Sequence, residues 1–103
     1  NEAERSRLHL DALAFESANC FAVLCEMTDA PTAAAIAIEL KVPLIGIGSG
    51  VDCDGQILVS NDILGLNAGY VPSFVKQYAK LGEGAREAFT AYADDVRNRK
   101  FPS

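Results

Sequence analysis

Two short apolar runs, separated by one helical segment, constrain the fold of this chain more than any other feature. Residues 21–25 and 42–47 are apolar throughout and are spaced as a strand, a crossover helix and a second strand. Strands joined in this way pair in parallel through a right-handed crossover. Because neither run has a polar position, we expect both faces of each strand to be covered. The sequence therefore predicts an α/β fold with a parallel sheet.

The helices around these strands are marked by periodicity and by capping residues. Residues 2–18 carry apolar side chains at helical spacing, and Asn19 follows them, a residue type that tolerates the left-handed backbone of a helix end. Asp29 and Pro31 are start signals for a second helix over residues 33–40. Each apolar run is therefore preceded by a predicted helix.

The second half of the chain is predicted to be helical. A glycine-containing loop runs to Gly55, and residues 56–64 are predicted to form a helix that Gly65 closes. Residues 74–81 are predicted to form another short helix, and residues 85–96 a final amphipathic helix. The chain therefore supplies only two predicted strands. Because such a sheet needs further strands at its edges, we expect them in polypeptide that precedes Asn1.

Charge and composition exclude several function classes. The chain has 14 acidic and 9 basic residues and a formal net charge of -5, which argues against a nucleic-acid partner. No apolar run approaches the roughly 18–20 residues of a membrane span, and no signal peptide is visible, so we expect a cytoplasmic protein. Three cysteines, an odd number, predict reduced thiols. Cys53 lies between two aspartates but lacks histidine or cysteine partners at ligand spacing, so no metal site is expected in this chain.

Glu26 is the first candidate for chemistry, because it directly follows the first apolar run. Parallel α/β folds place their active sites at the carboxyl ends of the strands. Partial burial there would disfavour the charged form and suit the side chain to act as a general base near neutral pH. The alternative is a solvated charge that marks the end of the strand.

A glycine-rich segment follows the second apolar run. Gly46, Gly48, Ser49 and Gly50 are candidate substrate-binding residues, because glycines let the backbone approach a ligand and their amides can bind an anion. The spacing is not that of a dinucleotide-binding fingerprint, since the third glycine comes one residue early, and no P-loop lysine follows. A loop with tight turns is the open alternative.

Six sequence blocks together indicate a known family. They are residues 11–16 (DALAFE), 22–26 (AVLCE), 42–50 (VPLIGIGSG), 52–59 (DCDGQILV), 62–66 (DILGL) and 71–76 (VPSFVK). With them the chain resembles the ketopantoate hydroxymethyltransferase (3-methyl-2-oxobutanoate hydroxymethyltransferase) family over nearly its whole length. The Pro-x-Ile-Gly-Ile-Gly-x-Gly block with the downstream Asp-Gly-Gln is the most specific part.

The resemblance implies a (β/α)8 TIM barrel of the phosphoenolpyruvate/pyruvate type. This chain would supply its C-terminal part, the seventh and eighth strands with the following helices. Residues 1–103 would then belong to one barrel domain, with residues 66–103 as a C-terminal helical extension. The remainder of the barrel would be a required partner.

The resemblance also implies a reaction. The family transfers a hydroxymethyl group from 5,10-methylenetetrahydrofolate to α-ketoisovalerate, giving ketopantoate for pantothenate synthesis. Glu26 matches the glutamate that removes the C3 proton, and magnesium would bind the keto acid through residues upstream of this chain. The family typically forms homodecamers. Met27, Thr28 and Asp29 depart from the family pattern beside Glu26, which leaves the identity of the keto acid open.

Two other functions are compatible with the residues. The first is another barrel enzyme of the phosphoenolpyruvate/pyruvate type, such as a lyase that acts on a different keto acid. The second is a non-catalytic half-barrel that needs a partner chain. The family reaction consumes the folate substrate, so measuring folate consumption would distinguish it from the reaction of the first alternative.

Overall fold

The computed structural model describes residues 1–103 and divides them into two compact units, residues 1–57 and 58–103. The first unit contains α1 (Glu2–Ser17), β1 (Val23–Glu26), α2 (Ala30–Glu39), β2 (Leu44–Ile47) and β3 (Gly55–Gln56). The second unit contains α3 (Ser60–Ile63) and α4 (Leu81–Arg97). None of these helices has the length and the apolar character that crossing a lipid bilayer requires.

The first unit is built on a parallel sheet with the strand order β1-β2-β3. The predicted α/β class and the parallel pairing of the first two strands are confirmed. The prediction of only two strands was wrong, because residues 55–56 form β3 and not the start of a helix. This third strand is the pair Gly-Gln, which carries no apolar pattern by which it could be recognised.

One side of the sheet is covered by α1 and α2. Residues at registered positions of parallel strands point to the same side, and Val23 is registered with Leu44. Both are buried, in a core completed by Ala12, Ala33, Ile36 and Leu40. On the opposite side, Leu24 is 54% exposed. The prediction that both faces are covered is therefore not met at β1 within these residues.

Helix capping explains where α1 and α2 begin and end. Asn1 and Glu4 form a reciprocal capping box at the start of α1, and Asn19 beyond its end has a φ of 66°, the left-handed conformation predicted for it. The Asp29 carboxylate caps α2 by accepting hydrogen bonds from the backbone N–H and the hydroxyl of Thr32. The hydroxyl hydrogen bond lowers the pKa of Asp29 below its usual value.

Carboxylates also fix the segments between these elements. Glu16, near the end of α1, accepts hydrogen bonds from the backbone N–H groups of Lys41 and Val42, just before β2. Asp54, just before β3, accepts the Leu44 N–H on its carboxylate at 2.8 Å. The Asp54 N–H donates to the Leu44 carbonyl at 2.9 Å. Polar groups that a short sheet would leave unpaired are thereby satisfied.

The second unit differs from the prediction between its helices. The predicted helix over residues 56–64 is confined to α3, and Gly65 with a φ of 64° follows it, as expected of a helix end. The predicted helix over residues 74–81 is absent, because the N–H groups of Tyr78 and Ala79 both donate to the Ile63 carbonyl. Those two donors are therefore unavailable to a local helix.

The final amphipathic helix is confirmed as α4. Its last turn carries Arg97, which pairs with Asp94 at 3.1 Å, and a positive charge is favourable at a helix C-terminus. The apolar side of α4 includes Phe89 and Tyr92, both exposed. No residue of this helix is buried.

Candidate active site at the carboxyl end of the sheet

Glu26 is the last residue of β1, as the sequence predicts. It is registered with Ile47, the last residue of β2, whose carbonyl accepts the Met27 N–H at 2.9 Å. Because side chains alternate along a strand, Glu26 lies on the same side of the sheet as Leu24, opposite the helix-covered core. Glu26 is exposed, so the partial burial expected of it is not found within these residues.

A cavity of about 200 Å³ lies beside β1. Its lining includes Leu8, Asp11 and Phe15 of α1 together with the whole of β1, including Glu26. β1 pairs only with β2, so the backbone of its outer edge has no strand partner. We interpret the cavity as the space along that unpaired edge, which a further parallel strand would fill, and not as a ligand pocket.

The backbone turns sharply after Glu26. Met27 has a φ of 51°, a left-handed conformation that is uncommon for residues other than glycine, asparagine and aspartate. It is held from both sides: its own N–H bonds to the Ile47 carbonyl, and the next N–H, that of Thr28, bonds to the Ser49 hydroxyl at 3.1 Å. The end of β2 therefore fixes the path of the chain beyond Glu26.

Ser49 lies inside the protein with its hydroxyl fully engaged. Its side chain is 1% exposed. Besides accepting from Thr28, the hydroxyl lies 3.2 Å from the Cys25 carbonyl and 3.3 Å from the Ile47 carbonyl, the two groups to which it can donate. The structure thus brings Ser49 to the Glu26 turn. No pattern in the sequence indicates this contact, and the role of Ser49 in binding substrate stays a prediction.

The predicted glycine loop is packed against its neighbours. A Cβ atom on Gly46 would lie 2.8 Å from the Cys53 sulfur, and a Cβ atom on Gly50 would lie 2.5 Å from the Cβ of Ala30. Gly48 and Gly50 have φ values of 62° and 87°. Gly46 thus lies within β2, not in the loop, and packs against Cys53, whereas Gly50 packs against Ala30 at the start of α2; neither position has room for a Cβ atom. Substrate binding by Gly46, Gly48 and Gly50 stays a prediction.

Replacing Gly50 with alanine should destabilise the folded protein by about 2–4 kcal/mol. The new Cβ atom meets Ala30, and an L-residue with this φ adds its own strain. Urea unfolding of a polypeptide that carries the complete barrel measures the change. Gly84→Ala is the control, because nothing lies within 4 Å of its Cβ position and alanine favours a helix. Equal unfolding midpoints for the two variants would contradict the predicted packing.

Two half-buried thiols lie behind the site. Cys25 is registered with Gly46, and the Cys53 sulfur lies against Gly46 on the same side of the sheet. Burial raises the pKa of the Cys53 thiol, and the neighbouring Cys25 and the acidic groups of Asp54 and Asp52 raise it further. Both cysteines are free. A raised pKa makes Cys53 a poor nucleophile at neutral pH.

The structure also bears on metal binding. No group of three or more histidine, cysteine, aspartate or glutamate side chains comes close enough together to hold a metal ion. In the acidic segment around Cys53, the Asp54 carboxylate accepts the Leu44 N–H. The expectation that magnesium is bound by residues upstream of this chain stays a prediction.

Comparisons with known proteins agree on one family. The family model described as ketopantoate hydroxymethyltransferase matches residues 1–103. Proteins named 3-methyl-2-oxobutanoate hydroxymethyltransferase are similar to the chain: that of Parabacteroides distasonis is 46% identical over 99% of the chain, and that of Rhizobium etli 47% over 100%. The one from Rhodopirellula baltica is 50% identical over 94%. The chain covers 36% to 38% of the length of these relatives.

Proposed function

The chain belongs to the ketopantoate hydroxymethyltransferase family, and from that membership we propose that it is the C-terminal part of a polypeptide with this activity. The substrates would be 5,10-methylenetetrahydrofolate and 3-methyl-2-oxobutanoate, and the product would be ketopantoate, a precursor in pantothenate synthesis. A cytoplasmic location and assembly as a homo-oligomer, a decamer by family resemblance, belong to the same proposal.

The proposed barrel follows from the edges of the sheet. Three parallel strands with helices on one side form an arc of a (β/α)8 barrel when further strands continue it at both ends. β2 is paired on both sides, so the two free edges of the sheet are those of β1 and β3, and the barrel would close when further strands pair with both. If β3 is the last barrel strand, β1, β2 and β3 are the sixth, seventh and eighth strands. β1 and β2, which the sequence predicts to be the seventh and eighth strands, would then be the sixth and seventh.

The position of Glu26 carries the proposed mechanism. It ends β1 on the side of the sheet opposite α1 and α2, and that side becomes the interior of a barrel whose helices lie outside. We propose that its carboxylate accepts the C3 proton of the keto acid. The resulting enolate carbon then forms a bond to the methylene carbon that the folate carries. Over the whole reaction both C–N bonds of that carbon to the folate break, water supplies the hydroxyl oxygen, and tetrahydrofolate leaves with the C3 proton and one water proton on its two nitrogens. The missing strands would supply the burial that a general base requires.

Magnesium has a limited part in this proposal. When bound, it would stabilise negative charge on the enolate oxygen. Its ligands would come from residues outside this chain, because the described side chains offer no cluster for a metal ion. The contribution of this chain is the proton acceptor and the loops that orient it.

An activity assay tests the proposal. A polypeptide that contains this chain and the remaining barrel strands should form ketopantoate from 3-methyl-2-oxobutanoate only when 5,10-methylenetetrahydrofolate and magnesium are present. Product and folate consumption are both followed by chromatography. Turnover of a keto acid without consumption of folate would favour the alternative, a different lyase of the phosphoenolpyruvate/pyruvate type.

A further inference from the structure

We propose that Ser49 is a positioning residue for Glu26, holding the turn after the base in the one conformation that aims its carboxylate at the substrate. This inference rests on the proposed function, because it takes Glu26 to be the base. In this role Ser49 touches neither substrate nor cofactor, because its hydroxyl bonds to the protein backbone, and the inference therefore differs from the substrate contact that the sequence predicts for Ser49. It acts through the backbone of residues 27 and 28.

The turn needs support because it is strained. Met27 has a φ of 51°, and this left-handed conformation raises the conformational free energy of an L-residue. Nothing in the methionine side chain offsets that cost. The Met27 side chain is 68% exposed. Strain of this kind persists only when the surrounding contacts fix the backbone. The contacts available are the hydrogen bonds made by the N–H groups of Met27 and Thr28.

Ser49 supplies the second of these contacts from a buried position. Its hydroxyl accepts the Thr28 N–H and can donate to the Cys25 carbonyl, so it bonds on both sides of Glu26 along the chain. The hydroxyl of Ser49 and the residue Thr28 are both buried. Water therefore has no ready access with which to replace the bond. The hydroxyl fixes the two ends of a short segment whose centre is the proposed base.

Loss of the hydroxyl should affect turnover more than binding. Without it, the buried Thr28 N–H has no partner, and the segment relaxes toward less strained conformations. Glu26 then spends less time within reach of the C3 proton, which lowers the rate of proton transfer. The glycine loop keeps its backbone, so the affinity for the keto acid should change little. A purely structural defect would instead lower the stability of the folded protein and would affect turnover and keto-acid affinity alike.

The test measures exchange of the C3 proton of 3-methyl-2-oxobutanoate in D₂O by NMR, using the polypeptide with the complete barrel. Ser49→Ala should lower kcat for exchange by about tenfold, with KM for the keto acid within twofold of wild type. Met27→Gly removes the strain, so adding it to the Ser49→Ala variant should raise kcat for exchange at least threefold. Ser60→Ala, an exposed serine at the start of α3, is the control and should leave both constants unchanged.

Each other result overturns the inference. Wild-type kcat in Ser49→Ala would show that the hydroxyl does not position the base. A fall that Met27→Gly fails to restore, with a lowered unfolding midpoint, would assign Ser49 a structural role only. Failure of the proposed function is separate, because it shows as absence of exchange in the wild-type protein or as full exchange in Glu26→Gln.

Discussion

Glu26→Gln should abolish exchange of the C3 proton of 3-methyl-2-oxobutanoate in a polypeptide that contains this chain and the remaining strands. Glutamine keeps the size of the side chain and its place at the end of β1, but it cannot accept the proton. A positioned general base contributes roughly a hundredfold to ten-thousandfold to such a step, so the exchange rate should fall by that amount. NMR in D₂O with magnesium measures the rate directly, without the folate substrate.

Glu87→Gln is the matched control for this change. Glu87 lies exposed in α4, in the second unit, and the same substitution there should leave exchange at the wild-type rate. The unfolding transition of the Glu26 variant should also match that of wild type, because Glu26 makes no hydrogen bond or ion pair through its side chain among those found in the structure. Exchange at the wild-type rate in Glu26→Gln would refute the assignment of the base.

Residues 1–103 expressed alone should fail to form a stable, cooperatively folded monomer. The outer edge of β1 has no strand partner, Leu24 is largely exposed, and α4 buries none of its residues. An unpaired edge beside apolar surface favours association between chains, and a core this small leaves little net stability. We expect aggregation, or a loosely packed state that binds an apolar dye and unfolds over a broad temperature range.

Co-expression with the remainder of the barrel provides the control for this prediction. If the missing strands cover β1 and its exposed side, the two pieces should associate and then unfold in one sharp transition. Recovery of exchange activity in that complex would favour the enzyme over the non-catalytic half-barrel. A sharp, concentration-independent transition for residues 1–103 alone would contradict the prediction.

The sequence predicted the parts of the fold that rest on apolar pattern and capping. The first two helices and the place of Glu26 at a strand end are as predicted, because each depends on residues close together in the chain. The pairing of β1 with β2 joins distant residues, and it could be predicted because a strand, a helix and a second strand in succession pair in parallel as a rule. Asn19 and Asp29 perform the capping roles that their side chains suggest.

The parts that the sequence could not predict depend on contacts between distant residues. β3 is held by pairing with β2, and its Gly-Gln sequence has no strand preference of its own. The predicted helix over residues 74–81 fails because the Ile63 carbonyl takes its N–H groups. The same is true at the site, since the hydrogen bond between Thr28 and Ser49 joins residues 21 positions apart in the chain.

Asp54 forms hydrogen bonds to Leu44 through both its backbone and its side chain. These two bonds oppose pairing of β3 with β2 in a shifted register. Sliding β3 by one residue would break both bonds and would turn Gly55 and Gln56 to the opposite sides of the sheet. The Gln56 amide would then lose its hydrogen bond to the Gly50 carbonyl at 2.8 Å. Two residues are too few to define the register of a strand by themselves. The hydrogen bonds of Asp54 therefore fix the register of β3 against β2.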